Sequence, residues 1–337
     1  MTFDFKKLKT ASCKILKEEI IDIEIASSGA NSQIFKLSSI NKKQYALKLY
    51  PNDFDKRQRC EKNAIDFLIT NGFTNIPQFK GFDETNNISI LQWIDSSKLY
   101  PISKEDISVS SHFISSIILS SNMPHVEKFL EAKQACLSGQ EILKQIEIRR
   151  RKLTDAAKNN NKLHTFLQSK LFPELNRLLA EGHMLCKKFN VDTENVLDTE
   201  HRRLIPADFG FHNTLRQSDG SLIFIDFEYF GWDDPIKPVM DFTLHPSYLM
   251  SSEFKKIVIN TISNTCNLDS NYLNRLICFS PFYTARWALI MLNKFLPNKR
   301  MRTVKGFQLR DLRKVQETQI AKVEEYLSFQ NTNTIQN

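Results

Sequence analysis

LIPADFGFHNTLRQSDGSLIFIDFEYFGWDDP, residues 204–235, decides the fold of this chain. Asp208 is followed five residues later by Asn213. The turn Ser218-Asp219-Gly220 leads into the apolar run LIFI, and Asp226 stands at the end of that run. A carboxylate, an amide and a second carboxylate at a strand end form the oxygen set that phosphoryl transfer requires. One carboxylate orients and deprotonates a hydroxyl, and hard oxygen ligands hold Mg²⁺ against nucleotide phosphates.

Upstream, the first hundred residues read as strands with one helix. Residues 19–26, 33–40 and 45–50 alternate with period two, and polar turns separate them. Ala46, Lys48 and Tyr50 share one face of the third strand; Tyr45, Leu47 and Leu49 share the other. A helix follows, with Asp55 as its cap and Gln58 three residues on. Glu61, Ala64, Ile65 and Leu68 lie on one stripe of it, and Asn71-Gly72 stops it. IPQFKGF and ISILQWI give two more strands. The pattern predicts a five-stranded antiparallel sheet with one helix. Lys48 then faces the helix, where Glu61 is its natural partner. The Ser28-Gly29-Ala30 turn offers backbone N–H groups to phosphate.

Near residue 95 the texture changes, and from Ser103 onward the period is 3.6. Ser103 and Asp106 make a capping-box start, with Ile107, Ser111, Ile114 and Ile118 on one face. Long helices are expected over 126–157 and 164–190, loops and short strands over 191–231, and helices again from Met240. The tail after Phe329 reads as polar and frayed. The domain expectation is an N-lobe over 1–95, a C-lobe over 96–330 and a tail over 331–337.

In this order the features resemble the aminoglycoside phosphotransferase and choline kinase family, small-molecule kinases with a protein-kinase-like fold. The resemblance covers most of the chain. It implies a bilobal α+β fold, with an antiparallel N-lobe sheet and a larger, mostly helical C-lobe. It implies ATP and Mg²⁺ as cofactors and a small-molecule hydroxyl as acceptor. Asp208 resembles the catalytic base, and Asn213 and Asp226 resemble the metal ligands. Lys48, steadied by Glu61, resembles the phosphate ligand, Ser28 and Gly29 the nucleotide loop, and Gln92 and Ile94 the hinge. IDFEY (225–229) is close to the choline kinase wording of this strand end, whereas Asp234-Pro235 resembles the aminoglycoside kinases.

Asp208-Phe209-Gly210 also spells the metal-binding motif of protein kinases. That assignment requires an upstream Asp with Asn five residues on, and Asp192 and Asp198 have Leu197 and Arg203 there. Asp208 is therefore given to the catalytic loop. The chain departs from the family at Pro206, where a His is usual, and in carrying one glycine in its nucleotide loop. Those departures admit an alternative: a nucleotide-binding pseudokinase acting as regulator or scaffold. His212 is read as a satisfied loop histidine before an acid or base. Phe230, Trp232, Asp233, Arg286 and Trp287 are candidates for the acceptor pocket, with core packing as the alternative. Arg149-Arg150-Arg151-Lys152 reads as a solvated helix face.

With 337 residues, 41% hydrophobic and 25% charged, the chain is neither fibrous nor disordered. The formal net charge of +8 suits an anionic ligand and gives no support to a cationic antibiotic as acceptor. The basic stretch Asn298–Lys314 lacks the aromatic interleaving of a nucleic-acid surface, so no nucleic acid is expected. Six scattered cysteines without zinc-ligand spacing fit a reducing compartment. No signal-peptide core or apolar run of membrane-spanning length occurs, so no membrane insertion and a cytoplasmic location are expected.

Overall fold

Strand alternation and its covering helices build the first lobe. The computed structural model describes residues 4–28, 32–51, 57–97, 99–296 and 309–334. Strands β1 (Ile20–Ser28), β2 (Gln33–Ser39), β3 (Gln44–Leu49), β4 (Phe79–Asp83) and β5 (Ile88–Gln92) form an antiparallel sheet in the order β1-β2-β3-β5-β4. Lys48 of β3 pairs in register with Ile34 on one side and Ser89 on the other, so it sits in the middle of the sheet.

Each face of the sheet has its own helix, and one face is apolar throughout. Phe35, Leu37, Leu47 and Ile90 pack with Leu8 and Ala11 of α1 (Phe5–Leu16). The sequence pattern predicts one helix in this lobe, and the structure adds α1 before β1. Its start is fixed by the Asp4 side chain, which accepts from the Lys7 N–H at 2.9 Å. On the other face lies α2 (Arg57–Thr70), which buries Glu61, Ala64, Ile65 and Leu68 as its stripe requires. The proposed cap Asp55 lies outside the described residues.

In the second lobe, α3 (Lys104–Leu119) opens with the expected capping box between Ser103 and Asp106. The helix expected from residue 126 begins only at α4 (Gly139–Ala157). Residues 129–138 are held as a loop because Trp232 exchanges backbone hydrogen bonds with them. Its N–H donates to the Leu130 carbonyl at 3.0 Å, and its own carbonyl accepts from the Ala132 N–H at 2.9 Å. Gly231 makes this approach possible, since a Cβ there would lie 2.4 Å from the Leu130 carbonyl oxygen.

The remaining helices among the described residues are α5 (Asn161–Phe166), α6 (Phe172–Phe189), α7 (Ile236–Leu244), α8 (Ser252–Thr265), α9 (Tyr272–Met291) and α10 (Leu309–Thr332). A π-helical turn over Leu167–Leu171 joins α5 to α6. Helix α9 is apolar and buried on nearly every side, with α4, α6, α7 and α10 around it. No described helix is long and apolar enough to cross a membrane. The last helix runs past Phe329, where the sequence predicts the tail to start. Helix α10 runs to Thr332, and buried Gln330 accepts from the buried Lys255 ammonium at 2.6 Å. Most of the basic stretch 298–314 lies outside the described residues.

Short strands carry the candidate chemistry between these layers. β6 (Arg203–Ile205) pairs with β9 (Gly231–Asp233), and β7 (Thr214–Arg216) pairs with β8 (Leu222–Phe224). Asp208 and Asn213 lie between β6 and β7, and Asp226 follows β8 directly.

Candidate active site

Lys48 is the centre of a buried charge cluster. Its Nζ lies 2.8 Å from Glu61, 2.7 Å from Asp226 and 3.3 Å from Glu228. Burial alone would drive the ammonium down, but Asp226, Glu61 and Glu228 hold it well above its ordinary range. Glu61 is saturated: the Tyr50 hydroxyl donates to it, and the Phe227 N–H donates at 3.2 Å. Helix α2, strand β3 and the end of β8 are thereby tied at one point. Burial pushes the Glu228 carboxyl up, against the pull of Lys48, and Arg57 reaches it at 3.2 Å.

Asn213 connects the other two candidates. Its Nδ2 donates to the Asp208 carbonyl at 3.0 Å, and its own carbonyl accepts from the Ile225 N–H at 3.0 Å. Asn213 is therefore bonded to the backbone of Asp208 and to that of Ile225, the residue before Asp226. With Nδ2 committed, Oδ1 is the atom Asn213 has to offer. An amide oxygen beside a carboxylate is the donor chemistry that Mg²⁺ takes.

Asp208 has a second neighbour. His212 Nε2 stands 3.5 Å from Asp208 Oδ1, and the His212 ring stacks on His245 at 3.9 Å between centroids. Ligand atoms of these three residues lie within 4.8 Å of one another, a spacing that suits a cation. The tautomer speaks against that use. The Ser247 N–H donates to His245 Nδ1 at 3.1 Å, so the neutral ring carries its proton on Nε2 and has no lone pair there. Burial holds the His245 pKa well below 6.5.

Other sequence candidates take different places. Ser28 ends β1, and Gly29 lies outside the described residues. Gln92 ends β5 and turns its Oε1 toward the Gln78 N–H at 3.3 Å, while Ile94 is buried. Phe230 packs against Phe67 and Phe129 and belongs to the core. Asp233 is buried, and its Oδ1 accepts from the Cys136 and Asp234 N–H groups, both at 2.8 Å. Asp234 pairs with Arg275 at 2.8 Å, a structural tie. The run 149–152 is not uniformly solvated, because Arg150 lies over the Phe172 ring at 4.8 Å and Arg149 contacts Gln134. Sequence reading assigned no role to Tyr50, Glu228 or His245. Tyr50 was legible, since it shares the face of Lys48; His245, distant in sequence, carried no signal.

No protein-family model matches the sequence, and no curated protein matches it. Solved structures do. Spectinomycin phosphotransferase APH(9)-Ia, in complex with ADP and spectinomycin, superposes with a TM-score of 0.66. It is 14% identical and covers 95% of this chain and 98% of its own. Choline kinase LicA from Streptococcus pneumoniae gives 0.60 at 14% identity over 96% of this chain and 98% of its own. A choline kinase from Cryptosporidium parvum gives 0.60 at 14% identity, over 97% and 96%. The fold is that of the small-molecule kinases. Within this kinase fold the sheet with Lys48 forms the smaller lobe, and α3 to α10 form the larger.

Proposed function

We propose that the protein is an ATP-dependent phosphotransferase that phosphorylates a hydroxyl group of a small molecule. The observation that carries the reading is the convergence on Lys48 of Glu61 from α2 and Asp226 from the end of β8, at 2.8 and 2.7 Å. A cation fixed between two lobes, beside a carboxylate at a strand end, suits nucleotide phosphates and the metal that accompanies them. In this reading residues 1–95 grip the nucleotide and residues 96–330 receive the acceptor, in the cytoplasm. Asn213 and Asp226 would hold Mg²⁺, which supplies charge neutralisation on the phosphates. Asp208 orients the acceptor hydroxyl and takes its proton, and Lys48 moves from Asp226 to phosphate. The kinase and phosphotransferase fold of the neighbours, three of them solved with ADP or AMP bound, supports this reading.

The test begins with thermal unfolding with and without Mg-ATP, where a ligand at 100 times its Kd adds about 2.7 kcal/mol of native stability. ATP consumption across sugars, amino alcohols and aminoglycosides follows. Absence of any Mg-ATP shift refutes the reading. ATP binding without turnover on any hydroxyl compound favours the pseudokinase, with Pro206→His as the variant to restore activity.

A further inference from the structure

Two guanidinium groups meet on one amide oxygen, with no carboxylate of the described residues between them. Arg149 of α4 donates to Gln134 Oε1 at 2.9 Å, and Arg286 of α9 donates to the same oxygen at 3.4 Å. Arg286 also donates to Gln145 Oε1 at 2.9 Å and reaches Asp241 at 3.4 Å. Asp241, however, is already held by Lys237 at 2.6 Å. Three cations, Arg149, Arg286 and Lys237, thus face two acids, Asp241 and Asp233.

Donors exceed acceptors here in a second, independent way. Arg149 Nε, the Tyr283 hydroxyl and Trp287 Nε1 are buried without a hydrogen-bond partner. The Arg286 guanidinium lies 5.8 Å from the Tyr283 ring and 5.9 Å from the Trp287 ring, so two of these groups belong to its surroundings. Burying a donor without a partner is unfavourable, because its hydrogen bond to water is lost and nothing replaces it. Asp233 Oδ2 is also without a partner, but burial pushes this carboxyl up to about 7, so it holds a proton below that pH. Burial lowers Arg149 to about 10, and the neighbouring Arg286 adds to that shift.

The place is joined to the catalytic loop. Trp287 meets the His245 ring edge-on at 4.5 Å, His245 stacks on His212, and His212 stands 3.5 Å from Asp208. Gln134 is exposed, so the amide over the two arginines faces solvent. Its backbone is left-handed, at φ 57°. A neutral carbonyl oxygen is a weak substitute for an anion between two guanidiniums, which match carboxylate and phosphate geometry.

We propose that the acceptor is an anionic alcohol, whose carboxylate or phosphate displaces the Gln134 side chain and is received by Arg149 and Arg286. This rests on the kinase reading above and names its substrate class. The acceptor hydroxyl oxygen forms the new bond to the γ-phosphorus of ATP. The bond from that phosphorus to the bridging oxygen breaks, and its electron pair leaves with ADP. The hydroxyl proton passes to Asp208.

Titration calorimetry on the full chain separates the possibilities. Gluconate and sorbitol 6-phosphate serve as the carboxylate and phosphate probes, sorbitol and choline as neutral and cationic ones, and Mg-ADP reports the nucleotide site. Expected is binding of one or both anionic probes, with ATP turnover on the one that binds more tightly. Gln134→Glu supplies its own carboxylate, and Arg149→Gln removes a receiver; each should weaken the anion at least about tenfold, the scale of one charge-assisted hydrogen bond. Gln134→Ala should retain it. No anion heat in the wild type, equal affinity for sorbitol or choline, or unchanged affinity in both weakened variants overturns the proposal. Loss of Mg-ADP binding alone, with the anion pattern intact, refutes the kinase reading and leaves the anion site standing.

Discussion

Asp208 and Asp226 are both held in the left-handed region of the backbone, at φ 64° and 71°. Few residues other than glycine stay there, and each costs of order 1–3 kcal/mol unless its surroundings enforce it. Asn213 provides that enforcement, bonding to the Asp208 carbonyl on one side and to the Ile225 N–H on the other. Two strained carboxylates flank one asparagine, which is how strain is distributed at sites built for chemistry.

Asp208→Asn and Asp226→Asn should both fold, because asparagine shares the tolerance of aspartate for left-handed backbone. Their enzymology should differ. Asp208→Asn is expected to lower kcat by roughly 10²–10⁴ with Mg-ATP affinity unchanged. Asp226→Asn is expected to weaken Mg-dependent nucleotide binding at least about tenfold as well. Nucleotide titration and turnover on the acceptor check this, and equal losses of nucleotide affinity would contradict the division of roles.

Lys48→Met should be among the most damaging single changes. It leaves Glu61, Asp226 and Glu228 facing one another without the cation at 2.8, 2.7 and 3.3 Å. Removing one partner from a buried pair costs about 3–5 kcal/mol. Urea unfolding measures it, and adding Glu228→Gln should recover part of the loss. A cost below about 1 kcal/mol would show that the cluster relaxes in water.

Asp233 gives a pH signature. Its carboxyl titrates near 7 in the folded chain, raised by burial against the pull of Lys237. The unfolded value is about 3.9. The folded state therefore keeps a proton that the unfolded state has lost, and this contribution to stability falls as pH rises from about 4 to about 7. Relative to Asp233→Asn, the wild type should lose about 1.4 kcal/mol per pH unit across that window. Parallel stability curves for the two proteins would exclude the shift.

Gly182→Ala tests the packing of α6 on α9. A Cβ at this position would stand 2.3 Å from the Phe282 ring, which is fully buried. The expected cost is about 1–3 kcal/mol, with Mg-ATP affinity intact, measured by denaturation and nucleotide titration. A neutral result would mean that Phe282 has room to turn.

Much of this fold is legible because each element has a local cause. Period-two runs, the Ser103 capping box and the apolar strand ending at Asp226 all depend on neighbours in sequence. Helix α1 escaped because its lysines mask a stripe of Leu8, Ala11 and Ser12 that closes only against the sheet. The far face of β3, with Tyr45, Leu47 and Leu49, was the available hint, since an apolar sheet face needs a cover. Residues 129–138 escaped for the opposite reason. Their sequence is compatible with helix, and only the distant backbone of Trp232 holds them as a loop. Of the candidate site, Glu61 and Asp226 reach Lys48, and Asn213 bonds to the Asp208 carbonyl. His245 and Gln134 enter through tertiary contacts that no local pattern records.

Gly231 sets a rule for anyone who would redesign this chain. The loop that carries Gln134 lies so close to β9 that a single methyl group at Gly231 would strike the Leu130 oxygen, the Ala132 nitrogen and the Glu131 carbon at 2.4, 2.7 and 2.9 Å. Strand β9 in turn lies a few residues beyond Asp226. The loop and the strand are thus a single heritable unit. A graft that imports residues 129–138 from another protein of this fold must bring residues 229–233 with it, or the borrowed loop will find no seat.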